Sequence, residues 1–497
     1  MNADEFRKYG KELVDFIADY VENVYKRRVI PEISPNYLRD LIQDTAPDKP
    51  ESYDDVIKDV DNCILPGIAN WQHPQFHGYF PAGNSFPAVM GEMLASAIST
   101  NSFSWASCPA STELETIVLD WLAKMIGLPN KFLNHNENGC GGGVIQTTSS
   151  ECVFVTLLAA RHAAIQKHKR IEPDAKETDI LCKLTAYCSK EVAAHSSVEK
   201  AAKLGMVKLR QLDTDKNFKL RANILQEAIQ SDIKQGYLPF FVVATLGTTS
   251  SCAFDPLDEI GQICKCYNIW FHVDAAYAGT ATICPEFKFL LDGIEYASSF
   301  STNPYKLLNA TLDCSTLWIE NRQMLINAFS VDPVYLTHNY GDKFKGGTID
   351  YRHWGISLSR RFRALKLWFV IRMYGVSGLQ QSIRKMSLQI HETHVALAKK
   401  FEELLQSDEI FEVTTEVVLG LVVFRVRGTN SINQLFLNRL NETGSIFMIP
   451  ALLDNQFVIR FCVCSENATY ETIQQSYKII HETAVEMIGN KLTYFLA

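Results

Sequence analysis

The sequence lacks any apolar run long enough to cross a membrane. Its longest run, near residues 238–246, falls well short of the ~20 apolar residues of a membrane-spanning helix. The start of the chain alternates charged and apolar residues and has no apolar core, so it is not typical of a secretory signal peptide. We therefore expect a protein of the cytoplasm that does not bind membranes.

Excess basic charge and regular cysteine spacing are missing as well. The 48 Lys and Arg residues against 56 Asp and Glu residues give a net charge of −8, which argues against a general nucleic-acid binder. The 13 cysteines have neither the spacing of a disulfide framework nor that of a zinc site, so we expect reduced thiols and no metal. Neither GxGxxG nor GxxxxGK[ST] occurs, and dinucleotide and P-loop sites lose support.

The patterns that are present indicate a large globular chain. Its 497 residues are 47% apolar and correspond to about three domains, or to one large and one small domain. Strand-like runs alternate with amphipathic helical patterns from about residue 90 to 322, which predicts a mostly parallel sheet with helices on both faces. These runs are Leu181–Cys188, Phe240–Leu246, Ile269–Val273 and Ser315–Ile319. We predict a helical arm at 1–85, an α/β domain at 86–360 and a small α+β domain at 361–497.

A glycine-rich stretch leads from Gly139 into a helix. Thr148 and Glu151 have the spacing of a capping box, and Ser149 adds a hydroxyl at the helix start. Free N–H groups at a helix N-terminus favour an anion such as phosphate. An ordinary capped helix explains the same residues if they are taken alone.

Three single residues add chemistry to this α/β region. Asp274 follows a buried strand, where open sheets bind ligands, and it could hold a protonated ring nitrogen above Ala276. Lys306 lies in a turn near the sheet edge and could form a Schiff base with a carbonyl cofactor. His195 begins a helix and could lie against an aromatic ring. Taken singly, a capping aspartate, a solvated lysine and a core histidine are the simpler interpretations.

The four features together match what pyridoxal phosphate requires. That cofactor needs an anion site, a carboxylate that keeps its pyridinium charged and an amine that anchors its aldehyde. At this point the chain resembles the group II pyridoxal-phosphate decarboxylases, the aromatic L-amino acid and histidine decarboxylases. The resemblance runs over nearly the whole chain. Its motifs include FSWASCPASTELE, GGGVIQTTSSE, HSSVEKA, ATLGTTSSCAFD, HVDAAYAG, NPYK, DPVYL and SLSRRFRALKLWFV.

The resemblance implies a large domain with the fold of the aspartate aminotransferase class (fold type I) and roles for particular residues. Lys306 would be the Schiff-base lysine, Asp274 the partner of the pyridine nitrogen, His195 the residue that stacks on the ring, and Tyr335, near a polar loop at Thr337–Thr348, the donor that protonates the substrate carbon. The cofactor would contact Thr148, Ser149, His195, Thr249, Asp274, Ala276, Asn303 and Lys306. The substrate would contact Trp71, Tyr79, Phe80, Pro81, Ala82, Phe103, Ser359 and Arg360.

The resemblance also implies an obligate homodimer with a swapped N-terminal arm, in which Phe103 reaches the partner's site. The substrate would be an L-amino acid with an aromatic or imidazole side chain. Ser359 stands where relatives that accept indole tend to carry glycine, and histidine is modestly favoured ahead of dopa and tyrosine. Two alternatives stay open: an aldehyde synthase on the same scaffold, and an impaired homologue that acts as a binding protein.

Overall fold

The computed structural model describes residues 1–136, 139–190, 195–331, 333–336, 348–384 and 394–495; for Tyr335 and for 488–495 it describes the backbone alone. The chain divides into two compact units, one formed by Met1–Pro81 with Met386–Ala497 and one by Ala82–Lys385. This partition differs from the three segments inferred from the sequence, which stay a prediction.

The unit Ala82–Lys385 contains a seven-stranded sheet. Its strands are β1 (Gly142–Gln146), β2 (Leu184–Ser189), β3 (Lys208–Leu212), β4 (Leu238–Thr245), β5 (Trp270–Asp274), β6 (Ser299–Thr302) and β7 (Ser315–Ile319). Its helices are α4 (Phe86–Ile98), α5 (Pro109–Ile126), α6 (Ser149–Ile171), α7 (Glu177–Leu181), α8 (Ser196–Gly205), α9 (Ala222–Lys234), α10 (Leu257–Tyr267), α11 (Pro304–Leu307), α12 (Gln323–Phe329) and α13 (Ala364–Arg384), the last kinked at Gly375.

The strand order is β1-β7-β6-β5-β4-β2-β3, and β7 is antiparallel to the other six strands of this sheet. The four predicted runs correspond to β2, β4, β5 and β7. Strands β1, β3 and β6 were not predicted from the sequence, because β1 begins with two glycines, β3 is a polar edge strand, and β6 is four residues rich in hydroxyls.

Both faces of the central strands are buried. Phe241 and Val243 of β4 pack with α6 and α8, while the alternate residues Val242 and Ala244 are equally buried on the opposite face. Side chains alternate across a strand, so this burial requires cover on both sides of the sheet. The predicted mostly parallel α/β architecture is thereby confirmed.

The other unit contains an antiparallel sheet of order β10-β11-β9-β8. Its strands are β8 (Phe411–Val413), β9 (Leu421–Val426), β10 (Ile449–Leu453) and β11 (Gln456–Cys462). Its helices are α1 (Ala3–Glu22), α2 (Tyr37–Leu41), α3 (Tyr53–Asp59), α14 (His394–Gln406), α15 (Asn430–Glu442) and α16 (Tyr470–Phe495). A capping box between Asn2 and Glu5 fixes the start of α1, yet none of its residues is buried.

A buried histidine joins distant parts of this second unit. The His77 ring contacts the Cys462 carbonyl through Nδ1 at 2.9 Å and the Ser476 hydroxyl through Nε2 at 3.0 Å. Burial lowers the pKa of His77 to about 3, so the ring is neutral. These bonds fix the segment that carries Trp71, Tyr79 and Phe80. Among the described helices of the whole chain, none is both long and apolar enough to span a bilayer.

Candidate active site

The site is built on the carboxyl ends of three adjacent strands. Thr245, Asp274 and Ser301 stand side by side as β4, β5 and β6 end. The Asp274 carboxylate is 2% exposed, and its Oδ1 accepts the Ala276 N–H at 3.0 Å. A buried charge at this edge keeps its orientation because the strand ends are hydrogen-bonded to one another. Asp274 can therefore face a positively charged ligand atom.

The N-terminus of α6 lies beside this carboxylate. Helix α6 packs across β4 to β7, and the Ser149 Oγ is 3.5 Å from Asp274 Oδ1. The Thr148 hydroxyl caps the helix by accepting the Glu151 N–H at 3.2 Å. The predicted capping box is wrong in one half, because the Glu151 carboxylate accepts the N–H of Thr147 and not that of Thr148. The backbone N–H groups of Ser149 and Ser150 point out of this end of the helix, where they could donate hydrogen bonds to an anion.

His195 is the N-cap of α8. Its Nδ1 accepts the Ser197 N–H at 3.1 Å, so the neutral ring carries its proton on Nε2. The residue is exposed, yet the protein atoms around its ring lower its pKa through desolvation; Asp274 opposes this shift and Lys306 adds to it. These influences show that all three side chains lie within electrostatic reach of one another. The segment 191–194 before His195 is outside the described residues.

Lys306 lies in α11, which begins directly after β6. Its backbone N–H donates to the Asn303 carbonyl at 2.9 Å, and the side chain is half-buried. The short helix turns the chain back toward the edge that carries Asp274. The structure thus brings together a buried carboxylate, an amine, an imidazole and a helix N-terminus from four separate elements.

Other predicted cofactor residues lie on the same edge. Thr249 is half-buried in the turn after β4. The Asn303 amide lies between Tyr305, to which Nδ2 donates at 2.9 Å, and Ser315, whose hydroxyl donates to Oδ1 at 2.8 Å. Tyr335 lies in a three-residue turn, Val334–Leu336, but its side chain and the loop at 337–347 are outside the described part of the structure.

The predicted substrate residues fall in both units. In Ala82–Lys385, Ala82 and Phe103 are half-buried, while Ser359 is exposed and its Oγ accepts a hydrogen bond from Asn101 at 3.2 Å. In the other unit, Trp71 stacks on Tyr79 with ring centres 4.9 Å apart, Phe80 lies under the Arg460 guanidinium at 5.1 Å, and Pro81 is buried. Their roles toward substrate stay predictions.

The Arg360 guanidinium is engaged by the protein itself. It forms a bidentate pair with Glu115 at 2.7 and 3.2 Å, and Nη2 also donates to the Ile145 carbonyl. Glu115 in turn accepts the Ile145 N–H at 2.8 Å, and Arg363 donates to the Ile145 carbonyl at 2.7 Å. The side chains of the pair are 0% and 3% exposed, so the end of β1, three residues before Thr148, is held by a buried ion pair.

We expect Glu115→Gln to lower the free energy of unfolding by about 3–5 kcal/mol, because it leaves the Arg360 charge buried without its counter-ion. Urea unfolding of the purified variant measures this loss. Glu286→Gln is the matched control, since Glu286 and Arg384 form the same two-bond pair on the surface at 2.5 and 2.6 Å. The control should lose only about 0–1 kcal/mol. Equal losses in both variants would contradict the conclusion that the buried Glu115–Arg360 pair holds the end of β1.

The arrangement suits pyridoxal phosphate in charge and in the types of group that it brings together. The N-terminus of α6 would offer donors to a phosphate, the buried Asp274 would hold a ring nitrogen, and the small side chain of Ala276 would leave room for the ring. The sequence pointed to these residues but not to Tyr305, which directly precedes Lys306 and which the Asn303 amide contacts. It also missed Glu115, because nothing in the sequence links residues that are 245 positions apart.

Comparison with known proteins agrees with this chemistry. A family model described as "Pyridoxal-dependent decarboxylase conserved domain" matches residues 35–427. The aromatic-L-amino-acid decarboxylase of Cavia porcellus is 49% identical over 98% of this chain and 99% of that protein. The histidine decarboxylase of Drosophila melanogaster is 48% identical over 97% of this chain and 56% of that protein.

Two solved structures share the fold over 98% of this chain and 99% of each matched chain. A crystal structure described as Oryza sativa TDC with PLP and tryptamine has a TM-score of 0.92 at 36% identity. That of Rhodiola rosea 4-hydroxyphenylacetaldehyde synthase has a TM-score of 0.87, also at 36% identity.

Proposed function

Because this chain belongs to the pyridoxal-dependent decarboxylase family, we propose that it removes the carboxyl group of an L-amino acid that has an aromatic or imidazole side chain. The predicted family, the α/β fold and pyridoxal phosphate as the cofactor of this carboxy-lyase are confirmed by the matches. The observation that carries the proposal is that the Asp274 carboxylate lies 3.5 Å from the Ser149 hydroxyl at the N-terminus of α6, while Lys306 follows the adjacent strand β6.

Each residue of the site has a defined task. When bound, pyridoxal phosphate supplies a charged ring that takes up the electron pair left as CO₂ departs. The Lys306 amine would hold the aldehyde, and Asp274 would keep a proton on the ring nitrogen because an opposite charge nearby favours the charged form. The neutral His195 ring and Ala276 would hold the cofactor ring between them. We propose that Tyr335 delivers the proton that replaces CO₂.

The comparisons do not choose between aromatic and imidazole substrates, since identities of 49% and 48% are equivalent. The residue Ser359 favours a substrate with a small, polar side chain. Its oxygen accepts a hydrogen bond from Asn101, which leaves the hydroxyl proton for an acceptor atom of the substrate. An imidazole nitrogen or a phenol oxygen can accept it, whereas an indole N–H cannot, and this favours histidine first and dopa or tyrosine next.

We expect Ser359→Gly to raise the relative use of L-tryptophan by about 10-fold or more, because removing the hydroxymethyl group enlarges the pocket and deletes the polar partner. The ratio of kcat/KM for L-tryptophan over that for L-histidine measures the change. Ser357→Gly, an exposed serine two positions earlier, is the control and should leave the ratio unchanged. An unchanged ratio in Ser359→Gly would remove this residue from the specificity argument.

The experiment that tests the function is product analysis with a mixture of L-His, L-dopa, L-Tyr, L-Trp and L-Phe. An amine with one equivalent of CO₂ supports the proposal. Stoichiometric hydrogen peroxide and ammonia would support the aldehyde synthase instead, an alternative that is kept because a synthase shares 36% identity and the fold. Cofactor binding without any turnover would support the binding-protein alternative.

We also propose that the chain forms a homodimer. Helix α1 buries none of its apolar residues, and α4 exposes Phe86, Met90, Leu94 and Ile98 at helical spacing. Apolar stripes of this kind require a partner surface in water. Light scattering of the purified chain should give twice its mass of 56.1 kDa, and a monomer mass would refute the proposal. A location in the cytoplasm stays a prediction.

A further inference from the structure

Tyr305 occupies a fixed position between the sheet edge and Lys306. It is the second residue of α11, and its carbonyl accepts the Gly83 N–H. A methyl group on Gly83 would come within 2.8 Å of this carbonyl oxygen, so that loop must pass as close to Tyr305 as only glycine allows. The backbone contacts fix where the phenol ring begins, and the ring is half-buried.

The hydrogen bonds of Asn303 determine whether the Tyr305 hydroxyl acts as a donor or as an acceptor. Asn303 is 1% exposed, and its Oδ1 accepts the Ser315 hydroxyl at 2.8 Å. Its Nδ2 therefore faces Tyr305 and donates to the phenol oxygen at 2.9 Å. An oxygen that accepts one bond still has its own proton to give. Among the described residues, no acceptor receives the proton of the Tyr305 hydroxyl.

The surroundings of the Tyr305 hydroxyl determine both its protonation state and its position. Burial raises the pKa of Tyr305 to about 12, and Cys152 and Asp274 act in the same direction. The phenol therefore stays protonated and remains a donor at neutral pH. The Asn303 amide that holds this hydroxyl is bonded to Ser315, and Ser315 pairs with Gln146 at the end of β1. Strand β1 leads within three residues into the N-terminus of α6, so the hydroxyl and that terminus lie at the same edge of the sheet. An anion bound at that helix N-terminus is the acceptor that such a donor would meet.

From these contacts we infer that Tyr305 donates a hydrogen bond to the phosphate of pyridoxal phosphate, with Asn303 as the positioning residue that orients its hydroxyl. The inference rests on the proposed function insofar as both need the cofactor in this site. Hydrogen bonds to a charged acceptor are about twice as strong as those between neutral groups. A phenol that is already oriented loses little rotational freedom when the phosphate binds.

The test compares the binding of two ligands to two proteins, the parent and one variant. The dissociation constants of pyridoxal phosphate and of pyridoxal, which lacks the phosphate, are measured by fluorescence titration of the full-length apoprotein and of Tyr305→Phe. We expect the variant to bind pyridoxal phosphate about 10- to 100-fold more weakly and pyridoxal within twofold of the parent. The selectivity for the phosphorylated ligand should fall by the same factor.

A matched control removes the same kind of group elsewhere. Tyr267 also accepts a bond from a side-chain amide, Gln230 Nε2 at 3.1 Å, so Tyr267→Phe should change neither constant. If Tyr305→Phe weakens both ligands equally, or weakens neither, the phosphate contact is wrong. If the unsubstituted chain binds neither ligand, the proposed function itself fails, which is a separate result. Circular dichroism of the variant confirms that any loss is measured on folded protein.

Discussion

Replacing Lys306 with alanine should reduce kcat by at least about 10³-fold and prevent covalent attachment of the cofactor. The reason is that no other amine is placed by α11 at the strand ends beside Asp274 and His195. In the proposed function this amine would anchor the aldehyde, and the loss of one positioned catalytic group costs about 10²- to 10⁴-fold. Steady-state kinetics and mass spectrometry after borohydride reduction measure the two effects.

The Lys306 prediction can be separated from loss of structure. Methylamine, added as a small replacement amine, should restore part of the activity of Lys306→Ala because the cavity left by the side chain admits it. Lys265→Ala is the control, since Lys265 is an exposed residue of α10, and it should keep full activity. Covalent attachment that persists in Lys306→Ala would show that another lysine holds the cofactor.

Asp274→Asn should reduce kcat by about 10²- to 10³-fold. The carboxylate is buried and hydrogen-bonded to Ala276, so its charge is neither solvated nor mobile. An opposite charge at close range shifts a pKa by about 1–3 units, and its loss lets the ring nitrogen release its proton. A neutral ring takes up electrons poorly, so breaking the bond to the carboxyl group slows while the phosphate and lysine contacts remain.

A modified cofactor distinguishes charge from structure in Asp274→Asn. An N-methylated pyridoxal phosphate carries a permanent positive charge, so it should restore much of the lost activity in this variant and none in Lys306→Ala. Asp255→Asn is the second control, because Asp255 is a buried carboxylate that accepts the backbone N–H groups of Thr245 and Leu220. The methylated cofactor should not improve Asp255→Asn. Failure to restore Asp274→Asn would contradict the assigned role.

In the seven-stranded sheet, the sequence predicted the strands with long apolar runs and missed those that begin with glycines or are rich in polar residues. Strand β6 illustrates the reason. Ser299 receives a hydrogen bond from Trp270 at 2.9 Å and contacts His272 at 2.8 Å, and the Thr302 hydroxyl donates to the Ala275 carbonyl at 2.9 Å. Buried hydroxyls are acceptable once each has a partner, but the partners come from a different strand. A strand of this kind carries no periodic apolar signal.

In the candidate site, too, some residues could be located from the sequence and others only from the folded structure. Glycines before a capped helix, an aspartate after a buried strand and a lysine in a turn could be located in the sequence because each belongs to one local pattern. The Glu115 and Arg360 pair and the proton left free on Tyr305 depend on contacts between separate elements. The capping box failed for a related reason, since the loop geometry brought Thr147 to Glu151 in place of Thr148.

By itself, then, the order of residues determined the class of fold and the cofactor and predicted the groups that would face it, since those follow from local periodicity and from motifs that chemistry restricts. Only the folded chain decided which hydroxyls have protons to give, which charges are paired and which strand ends meet. Hydrogen bonds and ion pairs act over a few ångströms, and the distance between two side chains is set by packing, which no local stretch of sequence contains.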